Sequence, residues 1–129
     1  MILNDAVRAL LDGRNHAVLC TTNPDGSPQS SVIWVGREGN DLVFSTLRDR
    51  RKERNLRRDP RASVSVWSQA DPEDYAEIRG TVTITEDVGL VVGHALARKY
   101  TGQDHEIEPP ERVRVVLRLT PTKVTGHLA

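Results

Sequence analysis

Turn and breaker residues punctuate this chain so often that most of its apolar segments have room only for short strands. Asn23-Pro24-Asp25-Gly26 is a strong turn signal and Gly36-Arg37-Glu38-Gly39-Asn40 is another. Residues 69–74 and 103–110 read as loops. Between these breaks lie apolar segments at 16–22, 29–35, 41–46, 62–67, 75–85, 112–119 and 123–127. The segment Ala62-Ser63-Val64-Ser65-Val66-Trp67 alternates apolar and polar, as a half-buried strand must. Gly80 inside the longest segment signals a bulge or a close backbone approach. The pattern predicts a mainly β fold, a six- to seven-stranded antiparallel barrel with a few helices.

Three segments depart from the strand period. Asn4 or Asp5 can cap a first helix ending near Gly13, with Leu3, Val7, Leu10 and Leu11 on one face. Residues 86–101 are expected to form the main helix, with Gly102 at its C-terminal cap. Gly89, Gly93 and Ala97 make a small-residue stripe along it, read as a close-packing face. The third segment, from Asp49 or Arg50 to Arg58, reads as a short helix stopped by Pro60.

That third segment carries the chain's most uneven charge. Eight of the 18 Lys and Arg residues lie between Arg48 and Arg61, among only three acids, while the whole chain has a net charge of +0. Arg50, Arg51 and Lys52 fall in the helix's first turn, where cations oppose the helix dipole by roughly 0.3–1 kcal/mol each. Such an arrangement makes sense when an anion sits among them. A helix start with free N–H groups and flanking Arg and Lys is a phosphate or carboxylate site. The bland reading of the same residues is a solvated charged helix with Glu53 and Arg57 as an i,i+4 pair.

Composition bounds the function classes. At 129 residues the chain, 1–129, is one domain, and 37% hydrophobic against 28% charged residues suits a modest core. A chain this short buries only about two-thirds of its unfolded surface, which leaves room for a dimer to bury more. General nucleic-acid binders are usually basic overall, so no nucleic-acid partner is expected. The single Cys20 rules out an internal disulfide and reads as a small core residue. No basic start followed by an apolar stretch marks a signal peptide, and no apolar stretch approaches the roughly 18 residues of a membrane span. A cytoplasmic location, away from membranes, is the expectation. His16, His94, His105 and His127 have no second ligand at a recognised spacing, so no metal site is expected. No nucleophile motif or dinucleotide fingerprint appears, and the catalytic residues stay unknown. An anion clamp on a small barrel with little acid–base equipment suggests that a cofactor supplies the chemistry. Trp34 and Trp67 end two apolar strands and read either as barrel core or as a flat wall for an aromatic ring.

The blocks Asp25-Gly26-x-Pro28-Gln29, Val32-Ile33-Trp34, Phe44-Ser45-Thr46 and Arg50-x-Lys52-x-x-Asn55-Leu56-x-x-Asp59-Pro60-Arg61 follow one another in this order. Gly80 before a strand, Lys99-Tyr100-Thr101-Gly102 and Val124-Thr125-Gly126-His127 complete the series. Together they resemble the pyridoxamine 5′-phosphate oxidase-like split β-barrel superfamily, which binds flavins and deazaflavins. Within it the chain is similar to the F420-dependent, biliverdin-reductase-like reductases, over essentially Asn4 to His127.

The resemblance implies a homodimer with cofactor sites at the interface and a small-molecule substrate. By matched position Ser45, Thr46, Arg50, Arg51 and Lys52 would hold the cofactor's phosphate, with Asn55 steadying that clamp. Gln29, Ser30, Ser31 and Val32 would run along the ring and offer backbone hydrogen bonds to its pyrimidine edge. The chain satisfies both the Arg51-Lys52 pattern of FMN-using oxidases and the Arg50-x-Lys52 pattern of deazaflavin users. It has Ser30 or Ser31 where the oxidases start the ring-side strand with Arg. It also lacks the C-terminal Arg and His motif that grips pyridoxal phosphate, so pyridoxine chemistry is not expected. Arg54, Arg57 and Arg58 suit the longer polyanionic tail of coenzyme F420. The implied activity is hydride transfer from reduced F420 to a conjugated acceptor. The rivals are an FMN enzyme of the same fold and a non-catalytic carrier of F420 or a tetrapyrrole.

Overall fold

The computed structural model describes all residues, 1–129. In chain order it contains α1 (Asp5–Asp12), β1 (Ala17–Thr22), β2 (Pro28–Ile33), β3 (Gly36–Glu38), β4 (Asp41–Leu47), α2 (Arg51–Arg58), β5 (Arg61–Trp67), β6 (Tyr75–Glu86), α3 (Val91–Thr101) and β7 (Arg114–Thr125). All seven strands join one antiparallel sheet in the order β2-β1-β5-β6-β7-β4-β3. The two terminal strands, β2 and β3, are consecutive in sequence and separated only by Trp34 and Val35. Two residues cannot span a flat seven-stranded sheet, so the sheet curls until its edges meet at that link. The result is the mainly β barrel that the turn pattern predicts.

Strand alternation builds the interior. Leu19, Leu42, Phe44, Val64, Val66, Ile78, Leu117 and Leu119 are buried there. α1 closes one end of the barrel with Val7, Leu10 and Leu11, and Asn4 caps it by accepting the Val7 N–H at 2.8 Å. Gly80 performs both roles that its position suggests. The pairing slips between Arg79 and Gly80, where Pro121 and not Thr122 lies opposite Gly80. A Cβ at Gly80 would lie 2.1 Å from the Thr120 carbonyl oxygen, so only glycine allows β6 and β7 to approach.

Three expectations need correction. Residues 36–40 are not only a turn, because Gly36–Glu38 pairs with β4 as a short edge strand. The segments 112–119 and 123–127 are one strand, β7, since the bulge at Thr122 accommodates Pro121, which has no N–H to donate. The main helix starts later than residue 86. β6 stays paired as far as Glu86 opposite Val115, and a single 3₁₀ turn at Val88–Leu90 follows. Gly89 (φ 73°) and Leu90 (φ 56°) are left-handed there, and α3 begins only at Val91. The Asp87 carboxylate caps it, accepting the N–H groups of Val92 (3.1 Å) and Gly93 (2.8 Å). Gly93 and Ala97 are buried as packing positions, whereas exposed Gly89 serves the turn.

Candidate functional site

α2 is an unusual helix because its outer face is almost entirely cationic. It is held to the barrel by a short buried row of Glu53, Asn55 and Leu56. Leu56 enters the core. Asn55 is fully buried and donates to Thr21 Oγ1 and to Asn23 Oδ1, both at 3.0 Å. Thr21 Oγ1 in turn donates to Gln29 Oε1 at 3.0 Å, so one chain of hydrogen bonds links α2 through β1 to β2. Asn55 therefore seats the helix and faces no open space. Glu53 accepts the Asp49 N–H at 3.1 Å and pairs with Arg57 at 2.5 Å.

Ion pairing divides the basic run into two sets. Arg57 is taken by Asp49 and Glu53, and Arg61 by Asp59. Arg58 turns back onto the Thr22 carbonyl and Asn55. Among the three cations expected to face a polyanionic tail, Arg57 and Arg58 are thus already engaged, and Arg54 alone remains unpaired. Arg48, Arg50, Arg51 and Lys52 also have no carboxylate partner. Arg50 is the N-cap of α2 and no side chain caps the helix, so its first turn is open.

Lys52 points from α2 toward β2, where its ammonium donates to Ser31 Oγ at 3.1 Å. Burial lowers its pKa below the ordinary lysine value, and the cations of Arg50 and Arg114 lower it further. Beside it lies a cavity of about 360 Å³ lined by His16, Val32, Trp34, Ser45, Lys52 and Arg114, with Gly93 and Leu96 of α3 on the far side. Ser45 Oγ is the one buried side-chain polar atom without a hydrogen-bond partner. An orphaned hydroxyl beside a partly desolvated ammonium with no carboxylate partner could hold an anionic group.

The pleat separates two residues expected to act together. Thr46 is buried on the same face of β4 as Leu42 and Phe44, while Ser45 lies on the opposite face and lines the cavity. The Thr46 side chain therefore belongs to the core face. Ser30 is exposed on β2, and Gln29 and Ser31 are half-buried. β2 is an edge strand, so one row of its N–H and C=O groups is unpaired within the chain. Trp34 is 41% exposed and Val32 is 66% exposed. Trp34 is therefore a wall and not barrel core. Its indole is stacked on Tyr100, with centroids 5.4 Å apart and the planes 5° from parallel.

The Lys99-Tyr100 pair holds that wall. Tyr100 donates to the Asn15 carbonyl at 2.7 Å and accepts the Val35 N–H at 3.3 Å. Lys99 donates to the Leu11 and Val35 carbonyls at 2.5 and 2.6 Å. A second, more apolar groove of about 310 Å³ between α1, β3 and α3 contains Lys99, but that ammonium is already used in this way. His16 lines the cavity next to Trp67, at 6.2 Å between rings, whereas exposed His127 sits 3.8 Å from Asp74.

Two lining residues escape sequence reasoning. Arg114 reaches the cavity because β4 and β7 pair with Leu47 opposite Arg114 and Ser45 opposite Val116, which puts Ser45 and Arg114 on one face. His105 arrives from the loop after α3. Neither has a local signal, since both depend on contacts made across the fold.

A sequence model described as pyridoxamine 5'-phosphate oxidase matches residues 3–128. The chain belongs to this family. Solved structures agree with the assignment. An F420 reductase shares 29% identity and a TM-score of 0.84, over 95% of this chain and 98% of that one. General stress protein 26 from Bacillus anthracis has 22% identity and a TM-score of 0.72, over 93% and 89% of the two chains. An FMN-binding, pyridoxamine 5'-phosphate oxidase-related protein from Nostoc punctiforme has 18% identity and a TM-score of 0.64, over 86% and 72%. The last two establish the shared fold alone. No helix is long and apolar enough to cross a membrane.

Proposed function

We propose that this member of the pyridoxamine 5'-phosphate oxidase family is a reductase that uses coenzyme F420. The observation that carries it is Lys52, which lines one cavity with the orphaned Ser45 hydroxyl, at an uncapped helix start where exposed Arg50 and Arg51 also lack carboxylate partners. The similarity to an F420 reductase over nearly the whole of both chains favours the deazaflavin over FMN.

Ser45, Arg50, Arg51 and Lys52 hold the phosphate, and exposed Arg54 extends the positive face toward the anionic tail. Gln29, Ser30, Ser31 and Val32 offer the free edge of β2 to the pyrimidine side of the ring. When bound, the reduced cofactor supplies a hydride to an electron-poor conjugated acceptor. The protein's part is binding, orientation and electrostatics. Lys52 joins the two halves of the site through Ser31. Trp34, fixed by Tyr100, excludes water from one side. The site works as part of a homodimer whose partner covers the exposed Val32.

An Arg50→Ala/Lys52→Ala variant tests this. It is expected to keep the wild-type circular dichroism spectrum and to lose F420 affinity by a factor of ten or more. Unchanged affinity would overturn the assignment.

A further inference from the structure

The cavity beside Lys52 adjoins a second one of about 530 Å³ beneath the loop that follows α3. Trp34, His105 and Arg114 line both, so these three residues form the shared wall. Arg114 is fixed there by a two-pronged pair with Glu108, at 2.8 and 3.1 Å. The loop is tied at its other end to α3, where His94 Nδ1 accepts the His105 N–H at 3.0 Å.

The His105 ring is oriented by its own loop. Its Nδ1 lies 2.7 Å from the Glu106 carbonyl oxygen. A carbonyl can only accept, so Nδ1 carries a hydrogen and Nε2 is the atom left for other partners. Nε2 lies 3.8 Å from Glu108 Oε1, the carboxylate that also holds Arg114. The imidazole side chain is 13% exposed. With Nδ1 anchored by the backbone, Nε2 is the ring atom left to carry and give up a proton, beside the Glu108 carboxylate in a wall shared by two cavities.

We propose that the acceptor occupies the cavity under this loop against Trp34, and that His105 is the catalytic residue that donates its proton. The assignment rests on the F420 reading. For an acceptor containing a C=C–C=O unit, addition at the β carbon of a hydride supplied by the bound reduced cofactor would shift the alkene π pair and leave an enolate. The imidazolium Nε2–H bond breaks and its proton passes to the enolate oxygen. The enol becomes the saturated ketone, and neutral His105 is reprotonated by water. The acceptor gains two electrons and the reduced cofactor loses two. Arg114 and Glu108 are positioning residues, since they fix the loop that carries His105.

The test compares wild type, His105→Asn and His105→Ala in the full chain, with reduced F420 and 2-cyclohexen-1-one as the acceptor. F420 binding of both variants, measured separately so that reduced loading is not read as lost chemistry, is expected to persist, while kcat at saturating F420 falls about a hundredfold, the scale of general acid catalysis. Added imidazole should restore part of the rate to His105→Ala. Asparagine retains a donor for the Glu106 carbonyl, so His105→Asn reads the chemistry even if the alanine variant loosens the loop. Wild-type rates in the variants, or a loss that imidazole does not relieve in a folded His105→Ala, would overturn the role of His105 alone. A wild type that binds F420 but does not turn over this enone would overturn the acceptor's placement. A wild type that does not bind F420 would overturn both this proposal and the function beneath it.

Discussion

The Lys52 ammonium on α2 donates to the Ser31 hydroxyl on β2 at 3.1 Å. These two residues are 21 positions apart, and their contact brings the cationic helix start against the free edge of the sheet. It ties the part of the site suited to a phosphate to the part suited to a planar ring.

Burying the Lys52 ammonium carries a cost in the unliganded fold. Its folded pKa is lowered by burial and then by Arg50 and Arg114. Between that lowered value and the ordinary 10.5 the unfolded chain holds more protons, so stability rises with pH through this window. Lys52→Met removes the penalty. The ligand-free variant should be more stable at neutral pH, with a higher Tm and lost anion binding. A lower Tm would mean that the ammonium is already compensated without a ligand.

Asn55 should matter for stability before function. Its amide satisfies one buried acceptor, Thr21 Oγ1, and one part-buried acceptor, Asn23 Oδ1. Asn55→Ala leaves both without that donor and detaches α2 from β1, at an expected cost of about 2–3 kcal/mol in chemical denaturation. A cost under about 0.5 kcal/mol would show that Leu56 alone seats the helix.

Much of the fold is legible in the sequence because it depends on neighbours along the chain. The Asn4 cap, the alternation in β5 and the break at Pro60 are local signals. What is not legible depends on partners far away. β3 has only three residues, and pairing with β4 makes it a strand. Pro121 looks like a strand end until the bulge opposite Gly80 accommodates it. The start of α3 is delayed because β7 keeps Glu86 in the sheet.

The site divides in the same way. Arg50, Arg51 and Lys52 stand out as cations at the wrong end of a helix. The i,i+4 spacing gives the Glu53–Arg57 pair, which the structure contains, but not that Asp49 joins it while Arg54 stays unpaired. Ser45 and Thr46 read alike in sequence, and only the pleat assigns one to the cavity and the other to the core face. Arg114 and His105 join through strand register and a long loop, which leave no local trace.

Acid stability offers a check away from the site. Glu77 accepts from Arg79, and also from Ser63 and Thr125, which bridges β5, β6 and β7. The Arg79 guanidinium leads in lowering its pKa from 4.5 to about 2. A depressed folded pKa gives stability that is present above the unfolded value and is lost as pH falls from 4.5 through about 2. Glu77→Gln should therefore be less stable at pH 7, by about 1 kcal/mol, and lose less stability than wild type across that acid window. Parallel acid-unfolding curves for the two proteins would contradict this.

The most direct measurement of the central claim is a fluorescence titration of the unliganded protein with coenzyme F420 and, separately, with FMN, at physiological salt. The account predicts micromolar or tighter binding of F420 and much weaker binding of FMN. Preference for FMN, or binding of neither, would contradict it.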